Sequence, residues 1–374
     1  MGHEIVKNTG GGDMAKNIFL LIFSLACISA CDLNRRNAFS YRTEKLKPTG
    51  WESIELRYTA DDPAKNISVR VTPRGGNNWY SFIVGTNELI YAPQALTKCP
   101  LYRDNRGCVL LYPTPNRVTD GKYRWNSREY LLKTRDDEKP RILHGILYDA
   151  EWKYRIVTTN SSSITLETWY DLNEDDPRFQ AFPFSNQIIV RYSLLSDRLR
   201  VSYEVTNTGT VPFGYGFGLH PYFAVPGKKS GHVLFECDVP HLRDKNSKGI
   251  PAGGFSKKRM TGSYFYPAKP IEKEMFGVFH RANPGSKVSV FFMDLGLRLS
   301  MRSSSDFHYL ILFKREKFPE FAAVEHQTSA PDAHNLYASG QKELSGLRVI
   351  HPQEMQYGNV DYIPSYEGSN ATDR

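Results

Sequence analysis

An all-β fold, built as a large antiparallel β-sandwich, is what the sequence predicts, on three observations. Apolar and polar residues alternate with a period of two in several runs, the mark of strands with one buried face. Most of those runs are bounded by Gly, Asn, Asp or Pro, the residues that turn a chain. Long amphipathic helical periods are hard to find.

Taken in order, β-rich runs occupy Ser68–Thr72, Arg155–Thr158 and Ile164–Trp169, where β-branched and aromatic residues predominate. The clearest pair follows. Ile188, Val190, Tyr192 and Leu194 share one face, Ser196-Asp197 make a hairpin turn, and Leu199, Val201, Tyr203 and Val205 then share a face. The alternating positions of that second strand, Arg198, Arg200, Ser202, Glu204 and Thr206, are polar. Further strands are expected at Val288–Phe292 and Tyr309–Phe313.

The chain has 374 residues, a net charge of +8, 40% hydrophobic and 24% charged residues. That balance excludes intrinsic disorder. Aromatic residues make up 13%, ample for a core and for platforms against which flat ligand faces rest. No apolar run reaches the ~20 residues of a membrane-crossing helix, and five cysteines do not make a disulfide-stapled miniprotein. Basic residues are scattered among acidic ones and no nucleic-acid motif accompanies them, so no nucleic-acid partner is expected.

The N-terminus reads as an address. After Met14 comes Lys16, then an apolar run from Ile18 to Ala30, then Ile28-Ser29-Ala30-Cys31. This resembles the lipobox of bacterial lipoproteins, which implies export and a lipid anchor on Cys31; the alternative is a plain secretory signal in which Cys31 is incidental. Residues 1–30 are thus expected to be a signal peptide and 31–47 a polar, basic tether beside the membrane. Residues 48–364 are read as one domain, with neither a linker nor a repeat, and 365–374 as a frayed tail. The expected location is the cell envelope, facing the periplasm. There Cys99 and Cys108 either pair across a small loop or remain two buried thiols.

Cofactor signals are missing. Gly214-Tyr215-Gly216-Phe217-Gly218 lacks the strand-to-helix setting of a dinucleotide loop, and the histidine spacings lack a zinc pattern, so neither cofactor nor metal is expected. What remains are polar residues in aromatic surroundings: Asn116-Arg117, His144 in Leu-His-Gly, His220 and Tyr222 in His-Pro-Tyr-Phe, and Glu325 in Val-Glu-His-Gln.

In this order, and with Tyr203 to Gly209, Pro331-Asp332-Ala333 and Ile350 to Glu354 around them, these pieces resemble the aldose 1-epimerase family of galactose mutarotase type. The resemblance runs from about Tyr112 to Tyr362. It implies a mutarotase with a monosaccharide or sugar end as substrate. It implies Glu325 as general base, His220 as general acid, and Asn116, Arg117, His144 and Tyr222 as sugar ligands. Opening a pyranose takes a proton from the anomeric hydroxyl and gives one to the ring oxygen, so one acceptor and one donor must flank the sugar. On this view the Glu325 charge raises the pKa of His220 and keeps the acid loaded. Two departures stand out: Glu274 to Phe279 has no aspartate where the family carries one, and Leu219 precedes His220 where the galactose enzymes have asparagine. The alternative is a carbohydrate-binding protein on the same sandwich, without turnover. Hydrolysis would need two carboxyls about 5 Å apart, and only one candidate has a motif behind it.

Overall fold

The computed structural model describes residues 38–47, 49–92, 106–225, 233–239, 241–245, 250–256, 260–266, 274–280, 288–315 and 320–367. Almost all of these belong to the unit Phe39–Arg374. Cys31 and the expected signal peptide lie outside the described residues, as does Cys99; Cys108 is a buried free thiol.

Every pairing between strands is antiparallel, apart from one isolated bridge, and among the described residues the strands form two large sheets of 12 and 9 strands. The predicted hairpin shows why. Asn186–Leu195 and Leu199–Asn207 pair in register from Asn186↔Asn207 to Leu194↔Leu199. Ile188, Val190, Tyr192, Leu194, Leu199, Val201, Tyr203 and Val205 are all buried, while Arg191 and Glu204 form an ion pair on the other face. Burying each such side chain stabilises by about 1.5–3 kcal/mol, so a slip of one residue, which would expose the whole set, is strongly disfavoured. The other predicted runs also fall within strands: Ile67–Thr72, Lys153–Thr159, Ser163–Leu172, Val288–Phe292 and Tyr309–Arg315.

The sheet begins earlier than the sequence suggests. Phe39–Lys45, assigned to the tether, is an edge strand paired with Glu52–Tyr58. An edge strand with one wet face needs few apolar residues. Here Phe39 is buried against Tyr58, and Arg42 binds the buried Glu55. At the other end, Met355–Tyr366 carries strand structure into the expected tail, with Leu297↔Tyr366 as its last pair.

The two sheets meet through aromatic side chains. Trp79 of the large sheet packs edge-on against Tyr362 of the second at 4.9 Å between ring centroids, and the Tyr192 hydroxyl donates to the Asn77 carbonyl at 2.9 Å. At the middle of the large sheet the strands run Asn78–Val84, Cys108–Leu111, Gly218–Ala224, Phe321–Gln327 and Tyr309–Arg315, side by side. Cys108 is the direct cross-strand partner of Trp79 and so shares the face on which Trp79 meets Tyr362 of the second sheet. Its neighbours Val109 and Leu111 therefore point the opposite way, into a separate cluster with Tyr148, Tyr222, Phe321 and Ala323. The functional side chains lie on that outer face.

Candidate active site

His220 and Glu325 come from adjacent strands, and the register brings them together. Leu219 pairs with His326 and Tyr222 with Ala323, so the same register sets His220 opposite Glu325. Pro221 follows His220 and lacks the N–H that a ladder would use, so the pairing opens there. The outcome is a direct contact: His220 Nε2 lies 3.0 Å from Glu325 Oε1. Both side chains are buried, with Glu325 1% exposed.

Two residues along each strand, on the same face, lie their supports. Tyr222 stacks on the His220 ring at 4.4 Å, its hydroxyl 3.3 Å from Nε2. Gln327 donates from Nε2 to Glu325 Oε2 at 2.7 Å, fixing the carboxyl plane. Phe321 packs edge-on to Tyr222, and Phe313 lies edge-on to His220.

The other candidates arrive on the connection between Leu111 and Trp152. Its two arms bridge at Arg117–Leu143 and Tyr112–Gly145, and the His144 N–H donates to the Asn116 carbonyl at 2.8 Å. Asn116 and His144 both adopt positive φ, 60° and 66°, a conformation uncommon outside glycine and held here by these bonds. Gly145 is required: at φ 75° a Cβ would sit 2.2 Å from the Tyr112 carbonyl oxygen. So held, His144 meets His220 edge to face at 5.2 Å between ring centroids. Asn116 is buried and its Oδ1 accepts from the Arg117 N–H at 2.9 Å. Arg117 is half-buried, and its charge acts on His144. The structure thus gathers His220, Glu325, Tyr222 and His144, with Asn116 and Arg117 on the arm beside His144. Glu274 lies in the strand Glu274–His280; its side chain is outside the described residues.

Electrostatics reverse the expected charges. Burial raises the Glu325 pKa to about 8, against the Gln327 hydrogen bond that lowers it. Burial, with the neighbouring His144, drives His220 well below the ordinary imidazole value. His144 falls to about 3, through burial and then the Arg117 charge. A dry site disfavours every charge, and that outweighs the attraction expected between carboxylate and imidazolium. At neutral pH the pair is therefore a protonated carboxyl donating to a neutral imidazole. It still holds one proton, and shifting that proton between the two atoms, which lie 3.0 Å apart, yields carboxylate plus imidazolium, the form able to accept and donate at once.

Buried polar atoms without a partner among the described residues include His144 Nδ1, His220 Nδ1 and Gln327 Oε1. Buried polar atoms of this kind call for a hydrogen-bond partner, and a hydroxyl group offers both a donor and an acceptor. No group of three His, Cys, Asp or Glu among the described residues is placed to hold a metal ion.

Residues 57–344 match the family model described as aldose 1-epimerase. The chain belongs to the aldose 1-epimerase family. Among curated relatives of this aldose 1-epimerase family member, the uncharacterized protein YihR of Escherichia coli K12 is 25% identical over 228 residues, 60% of this chain and 71% of YihR. A galactose mutarotase-like protein of Clostridium acetobutylicum superposes with a TM-score of 0.72 at 16% identity, over 89% of this chain and 100% of that one. Galactose 1-epimerase of Lactobacillus acidophilus superposes with a TM-score of 0.65 at 14% identity, again over 89% and 100%. At those identities the likeness speaks for the fold. Within it, sequence reading had not singled out Gln327, although its position two residues after Glu325 on one strand is a period-2 signal for a shared face. Phe313 and Phe321 were likewise missed; nothing in sequence marks an aromatic that walls a site from one that fills a core.

Proposed function

We propose that this protein is a sugar mutarotase, interconverting α and β anomers through the open-chain aldose. The observation that carries this reading is the buried contact between His220 Nε2 and Glu325 Oε1, 3.0 Å apart, which sets an imidazole and a carboxyl side by side. Glu325 as carboxylate takes the proton of the anomeric hydroxyl while His220 as imidazolium gives one to the ring oxygen. The electrons of the C1–O5 bond go to O5 and C1 becomes a carbonyl carbon. Rotation about C1–C2 and closure, with the two groups exchanging roles, give the other anomer. Arg117, Asn116, His144 and Tyr222 hold the hydroxyls and the ring face. Exchange between anomeric protons, followed by NMR for a panel of aldoses, tests this directly: acceleration by wild type is expected. Binding without acceleration would instead favour the non-catalytic reading, which the missing aspartate near Glu274 supports.

The working form is the singly protonated pair, so activity has two limbs. As pH rises through about 8 the last proton leaves Glu325 and donation to the sugar fails. As pH falls, a second proton reaches His220 only below the ordinary histidine value of 6.5, and the base is then blocked. A bell with an alkaline limb near 8 is expected in kcat/KM; a profile flat from about pH 4 to 9 would remove the pair from the chemistry.

We further propose export and acylation at Cys31, on the strength of the Ile28-Ser29-Ala30-Cys31 sequence alone. The mass of the mature N-terminal peptide checks this: a diacyl or triacyl cysteine is expected, and an unmodified Cys31 or a retained leader would refute it.

A further inference from the structure

We infer that Asp332 is a positioning residue that locks the Asn116–Arg117 loop to the segment leaving the Glu325 strand, and so sets the sugar-binding groups against the acid–base pair. This rests on the mutarotase reading of the site.

Asp332 follows the strand Phe321–Gln327 by five residues and is 8% exposed. Its N–H donates to the Arg117 carbonyl at 2.6 Å. Its carboxylate reaches past Val118 to Thr119: Oδ1 accepts from the Thr119 N–H at 3.0 Å, and Oδ2 from the Thr119 hydroxyl at 2.8 Å. Asn335 Nδ2 completes the set, donating to Oδ1 at 2.7 Å. One residue thus grips the loop on both sides of Val118, in a left-handed conformation at φ 61°.

The same segment is tied to the His220 strand. Thr328 and Phe217 exchange two bonds, Thr328 N–H to Phe217 carbonyl at 2.8 Å and Phe217 N–H to Thr328 Oγ1 at 2.9 Å. His334 Nε2 donates to the Gly214 carbonyl at 2.8 Å. The loop's other edge is held by the His144 arm, through the Val118 N–H to the Ile142 carbonyl at 3.0 Å. Removing the Asp332 carboxylate frees one edge of the loop and leaves His220, Glu325 and their contacts in place. Binding should therefore weaken while the chemical step survives.

Asparagine can replace this carboxylate without loss. Its oxygen accepts from the Thr119 N–H and from Asn335, its amide donates to the Thr119 hydroxyl, which rotates to accept, and it tolerates the left-handed backbone. Alanine makes none of these bonds and is strained at that φ. Asp332→Ala is expected to raise KM about tenfold or more, the scale of losing two or three hydrogen bonds, with kcat within about threefold and the pH profile unmoved. Asp332→Asn should remain within about threefold of wild type in KM. Thr119→Val, at a half-buried position, removes one bond and serves if Asp332→Ala does not fold; a KM rise of about threefold is expected. Amide exchange by mass spectrometry should speed up at residues 116–119 in Asp332→Ala or Thr119→Val and stay unchanged along Gly218–Ala224. An unchanged KM in Asp332→Ala, a fall in kcat alone, or an Asp332→Asn as defective as the alanine variant overturns the inference. If wild type anomerises no sugar, the functional reading fails by itself, and the exchange rates at 116–119 still decide whether Asp332 holds the loop.

Discussion

Glu325→Gln should abolish most anomer exchange and leave the protein at least as stable as wild type. Loss of a positioned proton acceptor lowers the rate by about 10²- to 10⁴-fold. The fold should tolerate the change because the resting Glu325 is a neutral carboxyl, which glutamine copies: an N–H donated toward His220 Nε2 and an oxygen accepting from Gln327 Nε2. Glutamine also removes a cost. A carboxyl with a pKa near 8 when folded and 4.5 when exposed must take up a proton to fold at neutral pH. That penalty is absent below the unfolded pKa of 4.5, grows as pH rises, and levels off above about 8, on the order of a few kcal/mol for a fully buried group. The variant's thermal midpoint should therefore vary less than that of wild type between pH 5 and 8 and match or exceed it at pH 8, by calorimetry. An active Glu325→Gln would remove Glu325 as the base; a variant both inactive and unfolded would mean the carboxyl is structural.

How much of this was legible in sequence follows from the kind of signal each part emits. The hairpin of Ile188 to Val205 was readable residue by residue, because a strand with one buried face writes its geometry as a period of two. The strand Phe39–Lys45 was not, since an edge strand is wet on one face and its sequence resembles that of a tether. His220 and Glu325 could be named only through the family resemblance; their contact depends on the register of strands separated by about a hundred residues. Their protonation was misjudged because a carboxyl beside an imidazole suggests an ion pair, whereas Tyr222, Phe313 and Phe321, which help bury the pair, come from three strands that no local pattern connects. Asp332 stood inside a quoted motif, yet its work lies in a hydrogen bond to Thr119, 213 positions away.

His220→Asn separates the two halves of the proton pair more sharply than any other change. Loss of the general acid should lower exchange by about 10²- to 10⁴-fold, and the residual activity should depend on pH in the opposite sense to wild type. In wild type, raising the pH past about 8 removes the single proton and activity falls. Without the imidazole, the remaining protein group is Glu325, still buried, which works only as the carboxylate and so gains activity as pH climbs through the same region, with water supplying the proton to the ring oxygen. The stacking of Tyr222 on the ring at 4.4 Å is lost as well, so some loss of thermal stability accompanies the change and does not itself report on chemistry. The profile does. Residual exchange that rises between pH 7 and 9 where wild-type exchange falls places the proton donor on His220 and the acceptor on Glu325; residual exchange that keeps the wild-type alkaline limb places the donor on another group, and the assignment of His220 as the acid is then wrong.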